Sequence, residues 1–357
     1  MFKDKPGNGS EGITIYEIAR EAGVSTATVS RILTGHQKVS NEKRVRVEAL
    51  IEKYNFTPNS MARNLSSGKS RILGFIQPDI EHPYYAKLYT SAERRAAELG
   101  YSIFLGNTLN DNSRHINNLE MKYLRQMQEK KVDGIMIAGG RLQDIEHRRE
   151  YESELKAIIS TTPIVSINTH MPWIDCPSVK TNEEAGIIQM MDYFVSLGHT
   201  DIGFIGGVEG IDPSAERLQS MRIGLEKNGL VFSEEWHIGS SGFSAEDGRI
   251  ALSRFLKLDN MPTAVLCFND LVAIGFINEA HNQGLKIPED ISVAGIDNIA
   301  FGDYLIPSLT TVDLKAEEQG RRGAEIMVDY LNKQIEDHHS VIEPRLILRN
   351  SCSKKSG

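Results

Sequence analysis

The chain has 357 residues, of which 40% are hydrophobic and 25% charged, and its net charge is −8. This composition can build a core, so it excludes a fibrous or wholly disordered protein, and the length favours two or three domains. No apolar run approaches the roughly 18 residues that a membrane span needs, and the polar start lacks the apolar segment of a secretory signal. Three widely spaced cysteines, Cys176, Cys267 and Cys352, are typical of inert thiols in a reducing compartment. We therefore expect a cytoplasmic protein.

The charge is unevenly distributed along the chain. Residues 13–70 contain nine Lys and Arg against five Glu, a net charge of +4, and residues 1–12 are neutral. Because the whole chain carries −8, residues 71–357 carry −12. A basic segment on an acidic body favours a polyanionic partner for that segment alone.

The elements begin after residues 1–12, which we interpret as a flexible tail. Thr14 and Glu17 have the spacing of a capping box and predict a helix that ends at Gly23. Ser25 caps a second helix, residues 26–33, and Ser40 caps a third. Two short helices joined by a tight turn predict a helix-turn-helix head over residues 13–58.

The second helix has a polar side that Val29 and the other apolar residues leave exposed. In helix-turn-helix proteins this side of the second helix contacts base edges in the major groove. An ordinary helical hairpin in a small bundle is the alternative, but the local positive charge favours DNA. The exposed residues of this side are Thr26, Ala27, Ser30 and Arg31.

A short junction follows the head. Asn59 caps a segment over Ser60–Leu65, and the run from Ser66 to Ser70 is rich in small polar residues. We predict a hinge helix and linker over residues 59–70.

The body, residues 71–357, alternates short apolar strands with amphipathic helices, which is typical of parallel sheets. The predicted strands are Ile72–Ile76, Ser102–Leu105, Gly134–Ala138, Ile164–Ile167, Ile202–Ile205, Ala264–Phe268 and Ile291–Ala294. About 285 residues are too many for one ordinary doubly wound sheet, so we predict an α/β core of two lobes. We place the first lobe at about 71–168 and 314–335, and the second at about 169–313 and 336–357.

Polar and aromatic side chains follow several of these strands, at the edge where open parallel sheets bind ligands. An Arg fork, Asp and Asn acceptors and aromatic faces suit a sugar. Each of these residues could instead cap a turn or a helix, and for Asp270 we favour that structural role. The candidates are Asp79, Tyr84, Tyr85, Asn168, Arg217, Asn269 and Asp297.

The sequence gives no catalytic set. The run 203–207, G-F-I-G-G, lacks the spacing of a dinucleotide loop, and no phosphate loop, H-E-x-x-H or G-x-S-x-G occurs. His338 and His339 lie in a polar stretch that favours solvation over metal binding. We therefore predict neither an enzyme nor a cofactor or metal site.

These motifs together resemble the lactose-repressor (LacI/GalR) family of bacterial transcription regulators. The resemblance covers essentially residues 13–350 and is densest in V-S-x-x-T-V-S-R at 24–31, in I-S-V-A-G-I-D-N at 291–298 and in P-S-L-T-T-V at 307–312. A looser match at 54–65 has Phe56 where the family usually has Tyr. The resemblance implies a DNA-binding head, a hinge helix and a core like that of sugar-binding proteins, which dimerises.

The resemblance also implies roles for single residues. Thr26 and Ala27 match the base-reading pair, and Arg31 matches the conserved arginine of the recognition helix, which can pair with guanine. In the hinge, Leu65 matches the leucine that wedges into the minor groove, although packing against the core is the alternative. The other matching head and hinge positions are Thr14, Tyr16, Ser25, Thr28, Ser30, Asn59 and Ala62. In the core, Phe243 joins Tyr84, Tyr85, Arg217, Asn269 and Asp297 as a residue of the effector cleft.

The leading interpretation is a cytoplasmic, nucleoid-associated repressor of carbohydrate-utilisation genes. It binds a near-palindromic operator as a homodimer, and a small effector, a sugar or sugar derivative, changes its operator affinity. A regulator that uses a protein corepressor, as in the catabolite-control branch of the family, is the first alternative. A solute-binding protein would need a signal peptide and no head, and a sugar enzyme would need an acid–base pair.

Overall fold

The structure of the protein is a computed structural model that describes residues 13–33, 39–56, 69–108, 119–140, 148–169, 171, 174–335 and 338–355. The chain divides into two compact units, residues 1–70 and 71–357. The predicted tail and the predicted hinge helix lie outside the described residues. Within the described ranges, no helix is long and apolar enough to cross a membrane.

The first unit contains the helices α1 (Ile15–Ala22), α2 (Thr26–Leu33) and α3 (Asn41–Lys53). The predicted capping box is confirmed, since the Thr14 hydroxyl accepts the Glu17 N–H and the Glu17 carboxylate accepts the Thr14 N–H. Gly23 ends α1 with a φ of 64°, a left-handed conformation that glycine adopts without steric cost. The Ser25 hydroxyl accepts the Thr28 N–H at 3.2 Å and caps α2 as predicted.

The start of α3 differs from the sequence prediction. Ser40 occupies the cap position, but its side chain makes no capping hydrogen bond there. Hydrogen bonds at the C-terminal end of α3 instead connect it to α1. There the Glu21 carboxylate accepts hydrogen bonds from Lys53 Nζ and the Tyr54 hydroxyl, each at 2.9 Å. A small apolar core lies between the helices and consists of Ile18, Ala19, Ala22, Val29, Ile32 and Val47.

The second unit contains two lobes, each built on a six-stranded sheet. The first sheet has the order β2-β1-β3-β4-β5-β11 with every pair parallel. Its strands are β1 (Ile72–Gln77), β2 (Ser102–Asn107), β3 (Gly134–Ala138), β4 (Ile164–Ile167), β5 (Ser178–Thr181) and β11 (His339–Ile342). Its helices are α4 (Pro83–Glu98), α5 (Leu119–Glu129), α6 (Arg148–Ile159) and α11 (Ala316–Leu331).

The second sheet repeats this order as β7-β6-β8-β9-β10-β12, with only the β10–β12 pair antiparallel. Its strands are β6 (Ile202–Ile205), β7 (His237–Ile238), β8 (Ala264–Cys267), β9 (Ser292–Ile296), β10 (Thr310–Asp313) and β12 (Arg345–Ile347). Its helices are α7 (Glu183–Ser196), α8 (Asp212–Lys227), α9 (Ala245–Phe255) and α10 (Asp270–Asn282), with short 3-10 turns at Glu234–Trp236 and Ala300–Tyr304. The predicted two-lobed α/β architecture is therefore confirmed.

The predicted lobe boundaries are wrong at two places. The sequence prediction places residues 169–181 and 336–342 in the second lobe, but β5 and β11 pair within the first sheet. These strands are short and alternate buried with exposed residues, so they lack the continuous apolar run that marks a central strand. The chain consequently crosses between the lobes after residue 181, after residue 313 and after residue 342.

The three crossovers lie side by side. The Asn182 N–H donates to the Ile342 carbonyl at 2.9 Å, and the Thr181 hydroxyl donates to the Leu314 carbonyl at 2.6 Å. One apolar core continues through both lobes and includes Phe75, Phe194 and Phe204. These contacts place the carboxyl-terminal edges of the two sheets close to a common cleft.

Candidate functional sites

The outer face of α2 is the candidate DNA interface. Val29 and Ile32 are buried, whereas Ala27, Ser30 and Arg31 are exposed and Thr26 and Thr28 are half-buried. The remaining predicted head residues, Thr14, Tyr16 and Ser25, are also exposed. The predicted hinge residues Asn59, Ala62 and Leu65 lie outside the described residues.

The helices α1 and α3 of the head carry exposed basic side chains. Arg20, Lys43 and Arg46 are exposed, and Arg46 is 3.8 Å from Glu42. Such exposed ion pairs contribute little and exchange readily for other partners. Lys53 differs, because it holds Glu21 between α1 and α3 and the two charges neutralise each other.

Arg217, on α8, is the central charge of the interlobe cleft. Its Nε donates to Glu183 Oε2 at 2.8 Å, its Nη1 donates to the Phe268 carbonyl at 2.7 Å, and its Nη2 is 3.9 Å from Asp297 Oδ1. Burial opposes the charge of this side chain, but Glu183 and Asp297 outweigh burial and raise the pKa of Arg217 above its usual value. The guanidinium is therefore a fixed cation that already has its counter-ions.

Aromatic rings cover this arginine. The guanidinium lies 4.5 Å from the centroid of the Phe268 ring, and the Phe243 ring stacks on Phe268 with centroids 4.6 Å apart. The Phe243 carbonyl also accepts a hydrogen bond from Asn269 Nδ2 at 3.0 Å. Stacked rings present flat apolar surface of the kind that sugar and nucleoside rings contact.

Asn269 and His82 bring the two lobes into direct contact. Asn269 caps α10 in the second lobe, where its Oδ1 accepts the Val272 N–H at 2.8 Å, and its Nδ2 lies 3.1 Å from His82 Nε2. His82 caps α4 in the first lobe, where its Nδ1 accepts the Tyr84 N–H at 3.3 Å. The Tyr84 N–H faces Nδ1 and the Asn269 amide faces Nε2. Because a neutral imidazole has only one acceptor nitrogen, the ring can accept only one of these two hydrogen bonds at a time. Burial lowers the pKa of His82 to about 4, which keeps the ring neutral.

Asn168 makes a second contact between the lobes. It ends β4 with a φ of 49°, and its Nδ2 donates to Glu183 Oε1 at 2.6 Å. Because Glu183 also holds Arg217, the polar residues predicted at the ends of different strands are joined through this one carboxylate. The sequence analysis did not single out Glu183.

Tyr84 and Tyr85 begin α4 and face the first lobe. The Tyr84 hydroxyl donates to Gln319 Oε1 at 2.7 Å, and Gln319 Nε2 donates to the Thr181 hydroxyl at 2.6 Å and to the Leu314 carbonyl at 2.7 Å. Tyr84 is thereby connected to two of the three crossovers. The Tyr85 ring packs edge-on against Tyr84, and burial raises the Tyr85 pKa above its usual value.

The aspartates divide into two groups. Asp297 is buried beside Arg217 with a φ of 113°, a conformation that costs about 1–3 kcal/mol and is typical of functional positions. Asp270 is completely buried, and its oxygens accept the Thr311 hydroxyl at 2.6 Å and the Ile299 N–H at 2.8 Å, which is a structural role. Asp79 uses its carboxylate in a local turn, where it accepts the Glu81 N–H.

The structure also contains a cavity of about 790 Å³ in the second lobe, between α8 and α9. Gly207, Ser240, His237 and Arg254 are among its lining residues, and none of the predicted effector residues lines it. Between the lobes, His82 contacts Asn269 and Asn168 contacts Glu183. In the described part of the chain, no group of three His, Cys, Asp or Glu side chains could hold a metal ion.

The residues that sequence reasoning missed are His82, Glu183, Gln319 and Phe268. His82 and Glu183 stand at helix starts, where capping is the ordinary explanation of a polar residue. Gln319 lies inside an amphipathic helix, and only its complete burial shows that it faces the core. The signal available in the sequence was the nearness of His82 to the end of the predicted strand β1, whereas Glu183 follows β5, which the sequence does not predict.

Comparisons with known proteins agree with this division into head and core. Residues 14–59 match the family described as bacterial regulatory proteins, lacI family, and residues 191–352 match the periplasmic binding protein-like domain. The HTH-type transcriptional repressor CytR of Escherichia coli (strain K12) is 31% identical over 339 residues, which cover 95% of this chain and 96% of that protein.

Two solved structures share the fold. The Lac repressor dimer bound to operator and the anti-inducer ONPF is 23% identical, with a TM-score of 0.84 and coverage of 96% of this chain and 100% of that chain. The complex of the transcriptional regulator CelR with cellobiose is 22% identical, with a TM-score of 0.69 and coverage of 95% and 99%. From the head match and the full-length similarity to CytR, the chain belongs to the lacI family of bacterial regulatory proteins.

Proposed function

We propose that this transcription regulator binds a near-palindromic operator as a homodimer, and that an uncharged sugar or sugar derivative bound between the lobes changes its operator affinity. The observation that carries the effector proposal is the contact between His82 and Asn269. Because these residues belong to different lobes, a molecule that enters the cleft must displace or bridge this contact. Either event changes how the lobes meet.

In the proposed DNA complex, α2 lies in the major groove. Thr26, Ala27 and Arg31 contact base edges, with Arg31 as the residue that can pair with guanine O6 and N7. The other head residues, Thr14, Tyr16, Ser25, Thr28 and Ser30, contact the DNA backbone, and Asn59, Ala62 and Leu65 contact the minor groove. The exposure of the α2 face and the exposed basic residues of α1 and α3 support this assignment.

The charge balance of the cleft favours a neutral effector. Arg217 is already engaged by Glu183, Asp297 and the Phe268 carbonyl. A sugar phosphate would have to displace one of these carboxylates, whereas hydroxyl groups can bond to the remaining acceptors. The effector-binding residues in this proposal are Asp79, Tyr84, Tyr85, Asn168, Arg217, Phe243, Asn269 and Asp297, together with His82 and Glu183.

We also propose that the cleft binds its sugar without transforming it and that the protein works in the cytoplasm, where the DNA is. Glu183 and Asp297 both face Arg217, and that pairing does not suit them to act as an acid and a base on a glycosidic bond. Incubation with cellobiose, followed by product analysis, tests this point. Release of glucose would contradict it.

The experiment that tests the whole proposal begins by selecting an operator from random DNA with the purified protein. Its affinity is then measured by fluorescence anisotropy with and without D-glucose, D-ribose, cellobiose and glucose 6-phosphate. We expect a near-palindromic operator and a change of about tenfold or more with a neutral sugar, which corresponds to about 1.4 kcal/mol of coupling. A response to the phosphate alone would contradict the neutral effector, and the absence of a preferred sequence would contradict the recognition helix.

A further inference from the structure

Gln77 is a completely buried glutamine whose amide is unsatisfied. Its side chain has no exposed surface, and neither Nε2 nor Oε1 has a hydrogen-bond partner among the residues that the structure describes. Buried polar groups in folded proteins are nearly always hydrogen-bonded, and an exception calls for an explanation. Leaving both atoms of an amide unpaired lowers stability, because the group has lost its water without gaining a partner.

The position of Gln77 gives that explanation. It is the last residue of β1. The next strand along the chain, β2, lies on one side of β1, and β3 lies on the other, so the topological switch point of this sheet is between β1 and β3. Ligands of open parallel sheets bind at the carboxyl ends of the strands at such a switch point. Gln77 therefore stands where this fold binds ligands.

The side-chain face agrees with this position. Leu73 and Phe75 point to the face of the sheet covered by α4, where Phe75 packs edge-on against Tyr89. Because side chains alternate between the two faces along a strand, Gln77 lies on the same face as Leu73 and Phe75. Directly after the neighbouring strand β3, the Tyr85 hydroxyl lies against Gly139, where an added Cβ would be 2.6 Å away. Gln77 thus shares this end of the sheet with Tyr85, one of the proposed effector-binding residues.

We propose that the Gln77 carboxamide is a specificity group for the effector and that it binds two adjacent hydroxyl groups of a neutral sugar. An amide presents one donor and one acceptor side by side, and a hydroxyl group can accept or donate. The inference rests on the proposed function, because it needs a sugar in the cleft. Because Gln77 has no exposed surface in this arrangement of the lobes, the lobes must part to bring a sugar to its amide.

Gln319 provides a matched control. It is also a completely buried glutamine of the first lobe, but its amide is paired with Tyr84, Thr181 and Leu314. If Gln77 is unpaired, then replacement by leucine must destabilise the protein without ligand at Gln319 but not at Gln77.

The first test is thermal unfolding of the full chain without sugar. We expect Gln77→Leu to leave the unfolding midpoint unchanged or to raise it, because it removes two unpaired polar atoms. We expect Gln319→Leu to lower it by several degrees, because it leaves the partners of Gln319 unpaired. A loss for Gln77→Leu as large as that for Gln319→Leu would mean that the amide is already satisfied, and the proposal would be wrong.

The second test measures binding of D-glucose and D-ribose and of their monodeoxy analogues by calorimetry. We expect the wild type to lose at least tenfold in affinity when either of two adjacent hydroxyls is removed, and Gln77→Leu to reduce that difference to less than about threefold. Retained discrimination in Gln77→Leu would overturn this proposal and leave the proposed function intact. If the wild type binds none of these sugars, the neutral-sugar effector and this proposal are both wrong.

Discussion

At the scale of single residues, we expect Arg31 to contribute to sequence-specific binding of DNA, as distinct from nonspecific binding. Its side chain is on the exposed face of α2 next to Ser30. We expect Arg31→Ala to cost about 1–3 kcal/mol of binding to the selected operator and to relax the preference at one base pair. Binding titrations against the operator and its single-base variants measure both effects.

Lys43 is the control for that measurement. It is exposed near the start of α3, outside the α2 face. We expect Lys43→Ala to weaken binding to all sequences alike and to reduce the slope of affinity against salt concentration, because it removes a phosphate contact. The same loss of preference in both variants would show that α2 is not the recognition helix.

Asp270 gives a prediction about pH. Burial raises its pKa to about 7, although the hydrogen bonds from Thr311 and Ile299 act in the opposite direction. In the unfolded chain its pKa is near 4, so between pH 4 and 7 the folded protein keeps a proton that the unfolded chain releases. Asp270 therefore contributes on the order of 2–4 kcal/mol to the free energy of unfolding below pH 4. This contribution is lost as the pH rises to 7.

Urea unfolding of the wild type and of Asp270→Asn at pH 5, 6, 7 and 8 tests this sign. The free energy of unfolding of the wild type should fall with pH relative to that of the variant. His82 has the opposite effect, because its lowered pKa of about 4 makes its contribution disappear as the pH falls below about 6.5. Since both proteins contain His82, their difference isolates Asp270, and parallel pH profiles would contradict the assignment.

The sequence identifies which residues stand at strand ends, and it predicts a cleft, but it does not identify the partners that close it. Asn269, Arg217 and Asp297 were found because polar residues after apolar strands are typical of ligand sites. Gln77 and Gln319 were not found, because one ends a strand and the other lies within a helix, and burial alone distinguishes them from surface glutamines.

At the scale of elements, α9 and α10 pack so closely that only glycine fits between their backbones. A Cβ at Gly275 would lie 1.7 Å from the Ala245 carbonyl oxygen, and one at Gly248 would lie 2.0 Å from the Val272 carbonyl oxygen. Alanine favours a helix over glycine by about 1 kcal/mol, so any loss of stability must come from forcing the helices apart. We expect Gly275→Ala to lower the free energy of unfolding by more than about 3 kcal/mol.

Gly284→Ala is the comparison for that variant. Gly284 has a φ of 82° and open space around it, so alanine there has only a backbone cost of about 1–2 kcal/mol. Chemical denaturation of both variants compares packing with backbone strain. An equal loss in the two would contradict the close approach of α9 and α10.

The elements that sequence reasoning found are those with strong local signals. The strands β3, β6 and β8 are continuous apolar runs, β1 is apolar up to Gln77 and β4 apart from Ser166, and the capping box and Gly23 define α1. The strands β5, β7, β11 and β12 are two to four residues long, and their pairing depends on neighbours distant in the chain. Because β5 and β11 flank crossovers, missing these two strands shifted the predicted lobe boundaries.

At the scale of the whole molecule, a single head is too small to select an operator. One module of this size buries too little DNA surface for genomic specificity, so we expect two copies to bind a near-palindrome. Sedimentation with and without the selected operator measures the stoichiometry. A monomer at micromolar concentration in both conditions would contradict the homodimer.

The effector and the operator must influence each other equally if both bind this molecule. A sugar that lowers operator affinity tenfold must itself bind tenfold more weakly to the DNA complex, because the coupling free energy of about 1.4 kcal/mol belongs to the pair.

Asp297 is buried in the cleft and lies 3.9 Å from Arg217, so we expect Asp297→Ala to abolish the response to sugar. Operator binding without sugar should stay close to wild type, since Asp297 belongs to the core and the α2 face to the head. Anisotropy titrations of operator at several sugar concentrations test both statements. A wild-type response in Asp297→Ala would move the effector site away from this cleft, for example to the cavity between α8 and α9, while leaving the DNA interface as assigned.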